Sequence, residues 1–317
     1  MFLRSELDLA KDRLLADLRK DIVPTDPRNV ALATLGWTID LRNPLEHVAG
    51  FGIRFDPQIH GYWIDALPQL SVLVRDCGAT LHQLEDRRIE IRLGDIRVTP
   101  ATFQEIGALV EIFRDEVYSV ECASPMFAWD VGANCGFASL YFAGSHGWDV
   151  AAYELCGPTA DAARENVTRS RLDSKIQVHA AGVGGKNETM QITYSSDLRG
   201  SNGILGNIAT DPHGVEQPLP VEVRDASDVF AAVQKEANGR PILVKLDCEG
   251  AEYAILERLL ETGQLAEISA LVIEAHCFPG LEPGMAVNTL LKAGFLVRRV
   301  PRMTEPLQIL FASRMAK

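Results

Sequence analysis

The stretch FAWDVGANCGFASLYFAGSHGWDVAAYEL, residues 127–155, decides the fold of this chain. It begins with a short apolar run rich in β-forming residues and continues through a loop that contains Gly132 and Gly136. Apolar residues then recur at helical spacing, and a second β-forming run covers residues 149–154 and ends in Glu154. The pattern predicts a strand, a tight loop, a helix and a second strand with an acid at its end.

The loop and the acid together indicate a nucleoside-type ligand. Glycine lets the backbone approach a ligand closely, and a carboxylate at the tip of the neighbouring strand can accept both hydroxyls of a ribose. Asp130 and Glu154 are 154 − 130 = 24 residues apart, close to the roughly 20 residues between a glycine-rich turn and a ribose-binding acid. The alternative is an ordinary α/β turn followed by an incidental glutamate.

The loop lacks the glycine pattern that seats a diphosphate. A dinucleotide-binding loop reads G-x-G-x-x-G, which places a pyrophosphate on the helix N-terminus. Here Asn134 occupies the middle position and residues 137–139 contain no glycine. An NAD-dependent oxidoreductase is therefore the weaker enzymatic alternative.

A second informative block follows a predicted buried strand. Residues 242–246 form an apolar run broken only by Lys245, as expected of a central parallel strand. Asp247, Glu249 and Glu252 come directly after it. Charges beside a buried strand are costly, but at its carboxyl end they face the crevice where α/β folds bind ligands. We therefore expect this cluster to be functional.

The two blocks together resemble a known family. The loop reads D-x-G-A-N-x-G over residues 130–136, and residues 245–252 read K-L-D-C-E-G-A-E. Paired in this order, they resemble the motifs of the FkbM family of S-adenosylmethionine (SAM)-dependent methyltransferases, which have the class I methyltransferase fold. The similarity continues through Glu274 and His276 on the next predicted strand and covers about residues 88–300.

The resemblance implies a SAM-dependent methyltransferase that methylates a hydroxyl of a sugar, polyketide or other small metabolite. Many class I methyltransferases carry an acid or amide for the adenine after the third strand, where this chain reads His-Ala-Ala-Gly and only backbone groups could serve. The implied cofactor-binding residues are Asp130, Gly132, Ala133, Asn134, Gly136, Glu154, Ala181 and Asp247. A catalytically inactive SAM-binding module is a further alternative, against which the acids at 247 and 249 count.

Four residues at predicted strand ends are candidates for the chemistry. Methyl transfer from a sulfonium is an in-line displacement, so alignment matters most, and a sugar-type hydroxyl must also lose its proton to a base. The candidate catalytic residues are Asp247, Glu249, Glu274 and His276, of which the histidine has the suitable intrinsic pKa. The same groups could ligate a divalent ion, but the expectation is a site without a metal.

Strand-forming and helix-forming segments alternate after residue 127, which predicts a mainly parallel α/β sheet. The last two strands are joined by a short connection and should form an antiparallel pair, an ending that resembles the seven-stranded sheet of class I methyltransferases. The third strand is predicted over residues 175–183. A hairpin over residues 88–98 and a helix that begins at Thr99 precede the sheet.

The regions outside these motifs have weaker signals. We predict a methyltransferase domain of residues 88–317 after an N-terminal extension of residues 1–87, part helical and part irregular, that caps the acceptor site or joins two copies of the chain. The glycine-rich segment of residues 196–214 is long for a loop inside a domain, so we expect a cover over the site. Ser201, Asn202 and His213 would then lie near the substrate.

Composition limits the partners. With 47% hydrophobic and 23% charged residues the chain should form a full core, and its net charge of −12 argues against a general nucleic-acid or anionic-membrane surface. Six cysteines without a C-x-x-C pair are typical of reduced thiols. The charged N-terminus favours neither a signal peptide nor a membrane span. We expect a cytoplasmic enzyme with a small-molecule acceptor.

Overall fold

The fold is described from a computed structural model, which covers residues 65–122, 124–206, 216–301 and 308–314, together with Ile53, Tyr62 and Trp63. The chain divides into two compact units, residues 1–115 and 116–317. The predicted N-terminal helix and His213 lie outside the described residues. Among the helices that are described, none combines the length and the apolar character needed to cross a membrane.

The described part of the first unit contains two helices and a small antiparallel sheet. Its elements are α1 (Leu67–Cys77), β1 (Thr80–Gln83), β2 (Ile89–Leu93), β3 (Ile96–Val98) and α2 (Phe103–Phe113). The strands pair in the order β1-β2-β3, which confirms the predicted hairpin as β2 and β3. The sequence-based domain boundary at residue 88 falls between β1 and β2.

Helix α2 begins later than predicted, because its cap is Thr102 and not Thr99. The Thr102 hydroxyl accepts a hydrogen bond from the backbone N–H of Glu105, and the Glu105 carboxylate accepts one from the N–H of Ala101 at 2.6 Å. Threonine followed three residues later by glutamate is the spacing of a capping box, and here the glutamate accepts from the residue before the cap. The two hydrogen bonds pair N–H groups that have no partner within the helix.

The second unit is an α/β domain in which strands and helices alternate. Its elements are β4 (Phe127–Val131), α3 (Phe137–His146), β5 (Asp149–Glu154), α4 (Gly157–Arg169), β6 (Ile176–Ala180), β7 (Gly182–Gly184), β8 (Glu188–Ser195), β9 (Glu216–Asp225), α5 (Ala226–Ala237), β10 (Ile242–Leu246), α6 (Glu252–Glu261), β11 (Ala270–Ala275), α7 (Pro283–Lys292), β12 (Leu296–Pro301) and β13 (Gln308–Ser313).

The main sheet has seven strands in the order β12-β13-β11-β10-β4-β5-β6. The last strand, β13, pairs antiparallel with both of its neighbours, and the pairs from β11 to β6 are parallel. The predicted fold class, an α/β fold with a seven-stranded, mainly parallel sheet whose last strand is antiparallel, is confirmed.

The predicted third strand is wrong in one respect, since it is two strands in two sheets. β6 pairs with β5 in the main sheet, whereas β7 pairs with β9 in a separate three-stranded sheet of order β7-β9-β8. The chain changes sheets at Ala181. The partner of β7 lies about forty residues further along the chain, which local sequence does not indicate.

The two faces of the main sheet differ in chemistry. On one face Trp129 packs on Phe230 of α5 with ring centroids 5.6 Å apart, inside an apolar core shared by α5, α6 and α7. On the opposite face Asp130 of β4 lies beside Lys245 of β10 in the parallel register. This register places two opposite charges next to each other under the loop that follows β4.

Candidate functional site

The loop after β4 passes closely over the end of β10. Gly132, Asn134 and Gly136 all have positive φ angles, of 76°, 49° and 82°. A Cβ atom on Gly132 would lie 1.7 Å from the backbone oxygen of Asp247. Glycine is therefore required at residue 132 both by conformation and by space.

Glu154 ends β5 with its carboxylate fixed against this loop. Its Oε2 accepts a hydrogen bond from the backbone N–H of Asn134 at 2.8 Å, and its Oε1 accepts one from the N–H of Cys156 at 2.9 Å. Burial raises the pKa of Glu154 to about 7, although the N–H groups of Cys156 and Asn134 favour the ionised form. Each oxygen retains acceptor capacity for a ligand hydroxyl.

Asp130, on the strand that precedes the loop, helps to position the loop through its side-chain contacts. Its side chain is fully buried, accepts a hydrogen bond from the Ser139 hydroxyl at 2.6 Å and pairs with the Lys245 ammonium at 3.1 Å. The same ammonium donates to the backbone oxygen of Gly132 at 2.7 Å. Burial alone would lower the pKa of Lys245, but the Asp130 and Asp247 carboxylates raise it above its ordinary value. The predicted cofactor residue Asp130 thus holds the loop in place.

A cavity with about 550 Å³ of empty space, part of it continuous with solvent, lies between the loop, Glu154 and the end of β10. The residues that line it are Val131, Gly132, Asn134, Tyr153, Glu154, Leu155, Gly182, Val183, Arg199, Gly200, Asn202, Ile204, Asp247, Cys248, Glu249 and Ala251. Of the predicted cofactor residues, the cavity thus brings together Gly132, Asn134, Glu154 and Asp247.

Other predicted cofactor residues lie just outside this lining. Ala133 and Ala181 are buried, and Gly136 packs on Ala163 of α4, where an added Cβ would lie 3.2 Å from the alanine Cβ. Gly182, the residue after Ala181, does line the cavity. The small side chains at these positions shape the backbone around the cavity.

The segment after β8 contributes to the cavity wall, as a cover would. The Asn202 side chain holds the segment together by accepting from the N–H of Ser195 at 2.8 Å and donating to backbone oxygens of Ser195, Leu198 and Arg199. Asn202 lines the cavity, while the equally buried Ser201 is outside its lining. No local sequence pattern predicts Arg199 at this wall.

All four predicted catalytic residues lie at the ends of β10 and β11. His276 Nε2 is 3.6 Å from Glu249 Oε2 and 3.8 Å from Asp247 Oδ1, while its Nδ1 is hydrogen-bonded to Glu252 Oε1. Asp247 and Glu249 line the cavity, whereas Glu274 and His276 are buried outside its lining. The structure therefore brings the four predicted residues together and places Glu252, whose side chain is fully buried, against the histidine.

The charged groups in this cluster shift the pKa values of one another. Burial raises the pKa of Glu249 to about 8; His276 opposes this shift and Asp247 adds to it. Burial alone would lower the pKa of His276, but Glu252 and then Glu249 raise it to about 10, so the imidazole is protonated at neutral pH. Such shifts are common where ligands or reacting groups are handled.

Tyr118 is a member of the cluster that sequence reasoning missed. Its hydroxyl donates to Asp247 Oδ2 at 2.8 Å and lies 3.4 Å from Glu274 Oε2. The Lys245 ammonium lies 5.4 Å from the centroid of the tyrosine ring. No local pattern distinguishes this tyrosine, because its partners are more than a hundred residues away.

Comparison with known proteins gives structural likenesses alone. No protein-family model matches the sequence, and no curated protein matches it. The methyltransferase FkbM from Methylobacillus flagellatus KT is 13% identical, with 66% of this chain and 54% of that chain covered and a TM-score of 0.42. Precorrin-6y C5,15-methyltransferase from Geobacter metallireducens GS-15 is 11% identical, with 67% and 88% covered and a TM-score of 0.36. The METTL16 MTase domain is 10% identical, with 96% and 92% covered and a TM-score of 0.42.

Proposed function

We propose that this protein is a SAM-dependent methyltransferase that methylates a hydroxyl of a small molecule such as a sugar or polyketide. The observation that carries the proposal is the carboxylate of Glu154, fixed by two backbone N–H groups at the edge of the cavity. A carboxylate in this position can accept the two hydroxyls of a ribose.

The charge of the cavity favours SAM over a dinucleotide. Three carboxylates, those of Glu154, Asp247 and Glu249, line it together with one arginine, Arg199. The backbone N–H of Asn134, which a diphosphate would need, already donates to Glu154. A diphosphate would therefore meet negative charge, whereas the positively charged sulfonium of SAM is attracted by it.

The residues of this chain then have distinct roles. Bound SAM supplies an electrophilic methyl group on a sulfonium sulfur. Glu154 orients the nucleoside, and the loop of residues 132–136 fixes its position relative to the end of β10. Asp247 and Glu249 face the cavity where an acceptor hydroxyl would enter, and the cluster of which they are part receives the hydroxyl proton.

Titration calorimetry tests the cofactor assignment directly. We expect S-adenosylhomocysteine to bind the purified chain and NAD not to bind. Glu154→Gln should weaken homocysteine-nucleoside binding by about tenfold or more, because hydrogen bonds to a charged group are lost. Glu165→Gln is the matched control, since Glu165 pairs with Arg169 on the surface of α4. Binding of NAD alone would overturn the proposal.

The acceptor class needs a separate measurement. Incubation with methyl-labelled SAM and a panel of sugars and polyketides should give a methyl ether, identified by mass spectrometry. Asp247→Asn should abolish this product while leaving the fold intact. Labelling of a nitrogen or carbon atom would refute the hydroxyl assignment and retain the cofactor assignment.

A further inference from the structure

Three ligand atoms converge at the ends of two adjacent strands. Asp247 and Glu249 follow β10, His276 follows β11, and one ligand atom of each lies within 4.8 Å of the other two. The 3.6 and 3.8 Å separations from His276 Nε2 exceed hydrogen-bond length. They are close to the separation of about 3.4 Å between neighbouring ligands of a tetrahedral ion with bonds of about 2.1 Å.

A buried carboxylate orients the histidine of this group. Glu252 Oε1 is hydrogen-bonded to His276 Nδ1, and the Glu252 side chain is fully buried. The imidazole itself is only 5% exposed, so its ring cannot turn freely. A carboxylate on the remote nitrogen is the usual support of a metal-binding histidine, because it fixes the tautomer and directs the other nitrogen at the ion.

Glu249 is held in a conformation that its present contacts do not explain. Its φ angle is 54°, which is uncommon for a residue with a side chain. Its Oε2 atom is buried, and no hydrogen-bond partner for it is found within the described part of the chain. A buried carboxylate oxygen without a partner is costly. A cation between this oxygen and His276, bound with release of the Nε2 proton of the imidazole, would remove that cost.

We propose that Asp247, Glu249 and His276 bind a divalent first-row transition ion beside the cofactor cavity. This inference deepens the proposed function and rests on it for the role of the ion, although the site itself follows from the three side chains. The mixed set of two carboxylates and one imidazole suits Mn²⁺ or Zn²⁺ better than Mg²⁺, which prefers oxygen ligands.

The ion would act on the acceptor hydroxyl. Since Asp247 and Glu249 line the cavity, an acceptor oxygen that enters it can become a further ligand. Coordination would lower the pKa of that hydroxyl, and its proton would pass through the remaining carboxylates of the cluster to solvent. The oxygen then forms a bond to the methyl carbon as the carbon–sulfur bond breaks, and the sulfur keeps the electron pair.

The test is titration of the metal-stripped full chain with Mn²⁺ alone, followed by calorimetry and by the loss of the free Mn²⁺ signal in electron paramagnetic resonance. We expect one site per chain. Glu249→Gln and His276→Gln should each weaken it by about tenfold or more. Glu274→Gln is the matched control, because Glu274 lies beside Asp247 in the cluster but is not one of the three ligands.

Three outcomes would overturn the inference: absence of Mn²⁺ binding at millimolar concentration, binding by several ions, or equal weakening by Glu274→Gln and Glu249→Gln. The last would indicate a diffuse acidic surface. If His276→Gln fails to fold, the Glu249→Gln variant decides. Titration with S-adenosylhomocysteine in the presence of EDTA separates the two proposals. If S-adenosylhomocysteine binds but the chain has no Mn²⁺ site, only the metal proposal is refuted. If Mn²⁺ binds but S-adenosylhomocysteine does not, the cofactor proposal is refuted.

Discussion

Two polar regions meet at the carboxyl edge of the sheet, and they differ in the groups that surround their carboxylates. Around the loop of residues 132–136, each carboxylate faces donors: Glu154 accepts from two backbone N–H groups, and Asp130 accepts from Ser139 and pairs with Lys245. At the ends of β10 and β11, carboxylates surround one histidine and raise its pKa to about 10.

The difference indicates which region is preorganised. In the first region the Glu154 carboxylate accepts two backbone hydrogen bonds and Asp130 pairs with Lys245, so a nucleoside can enter with little rearrangement, and the buried Asn134 Oδ1 has no hydrogen-bond partner among the described residues. The second has buried carboxylate oxygens without partners among the described residues, Glu249 Oε2 and Glu252 Oε2. These oxygens are free to accept a hydrogen-bond donor or a cation from a ligand. Lys245 connects the two regions, because it pairs with Asp130 in one and Asp247 in the other.

Replacing Lys245, which connects the two regions, should have the largest effect on the free energy of unfolding. Lys245→Met leaves the fully buried Asp130 without its cation, and loss of one partner of a buried ion pair costs about 3–5 kcal/mol. Denaturant unfolding followed by circular dichroism measures the change. The matched control is Lys175→Met, which breaks a pair with Asp149 whose lysine side chain is 42% exposed and should cost less than about 1 kcal/mol. Equal losses from the two variants would contradict the assignment of Lys245 as the central cation.

The second largest effect on stability is expected at Gly132, where the loop lies closest to the end of β10. Gly132→Ala would place a Cβ 1.7 Å from the backbone oxygen of Asp247 in a left-handed conformation, and together these should cost about 2–5 kcal/mol. Gly147→Ala provides the comparison, since Gly147 has a φ angle of 71° with open space around it and should cost only about 1–2 kcal/mol. Thermal melts of both variants decide, and an undiminished melting temperature for Gly132→Ala would show that the loop does not need this close approach.

The smallest expected effect is the change in ligand affinity that follows the ionisation of Glu154. With a pKa of about 7 in place of the ordinary 4.5, Glu154 gains its charge as the pH rises from 6 to 8. The ionised form accepts hydroxyl donors, so S-adenosylhomocysteine should bind about tenfold more tightly at pH 8 than at pH 6. Calorimetry across this range on the wild-type chain and on Glu154→Gln checks the prediction. The variant should lose this part of the pH dependence, and an identical profile in both proteins would exclude Glu154 as the titrating group.

Much of the fold could be predicted, because alternation of strand and helix patterns specifies a parallel sheet. β5 and β10 were predicted with their observed bounds, and the antiparallel pairing of β12 with β13 was also correct. The predicted start of α2 was wrong because Thr99 and Thr102 are both chemically suitable caps. Only Glu105, whose backbone N–H donates to the Thr102 hydroxyl, selects between them.

The candidate site could be predicted less completely. Residues that follow strand ends were found, since parallel strands bring their carboxyl ends to one edge of the sheet. Tyr118 and Arg199 were not, because their importance depends on which distant residues they meet. The support of His276 by Glu252 was also beyond sequence reasoning, because the two residues are 24 positions apart and meet only in the folded chain.

The sequence by itself therefore determined the identity of the strands, the glycine-dependent loop and the acids that end β5 and β10, because each depends on neighbours within a few residues. Only the tertiary structure decided how those charges are used. The register of β10 against β4 pairs Lys245 with Asp130, and the end of β11 brings His276 between Glu252 and Glu249. Burial and mutual distance set the strength of electrostatic interactions, and both are properties of the folded chain.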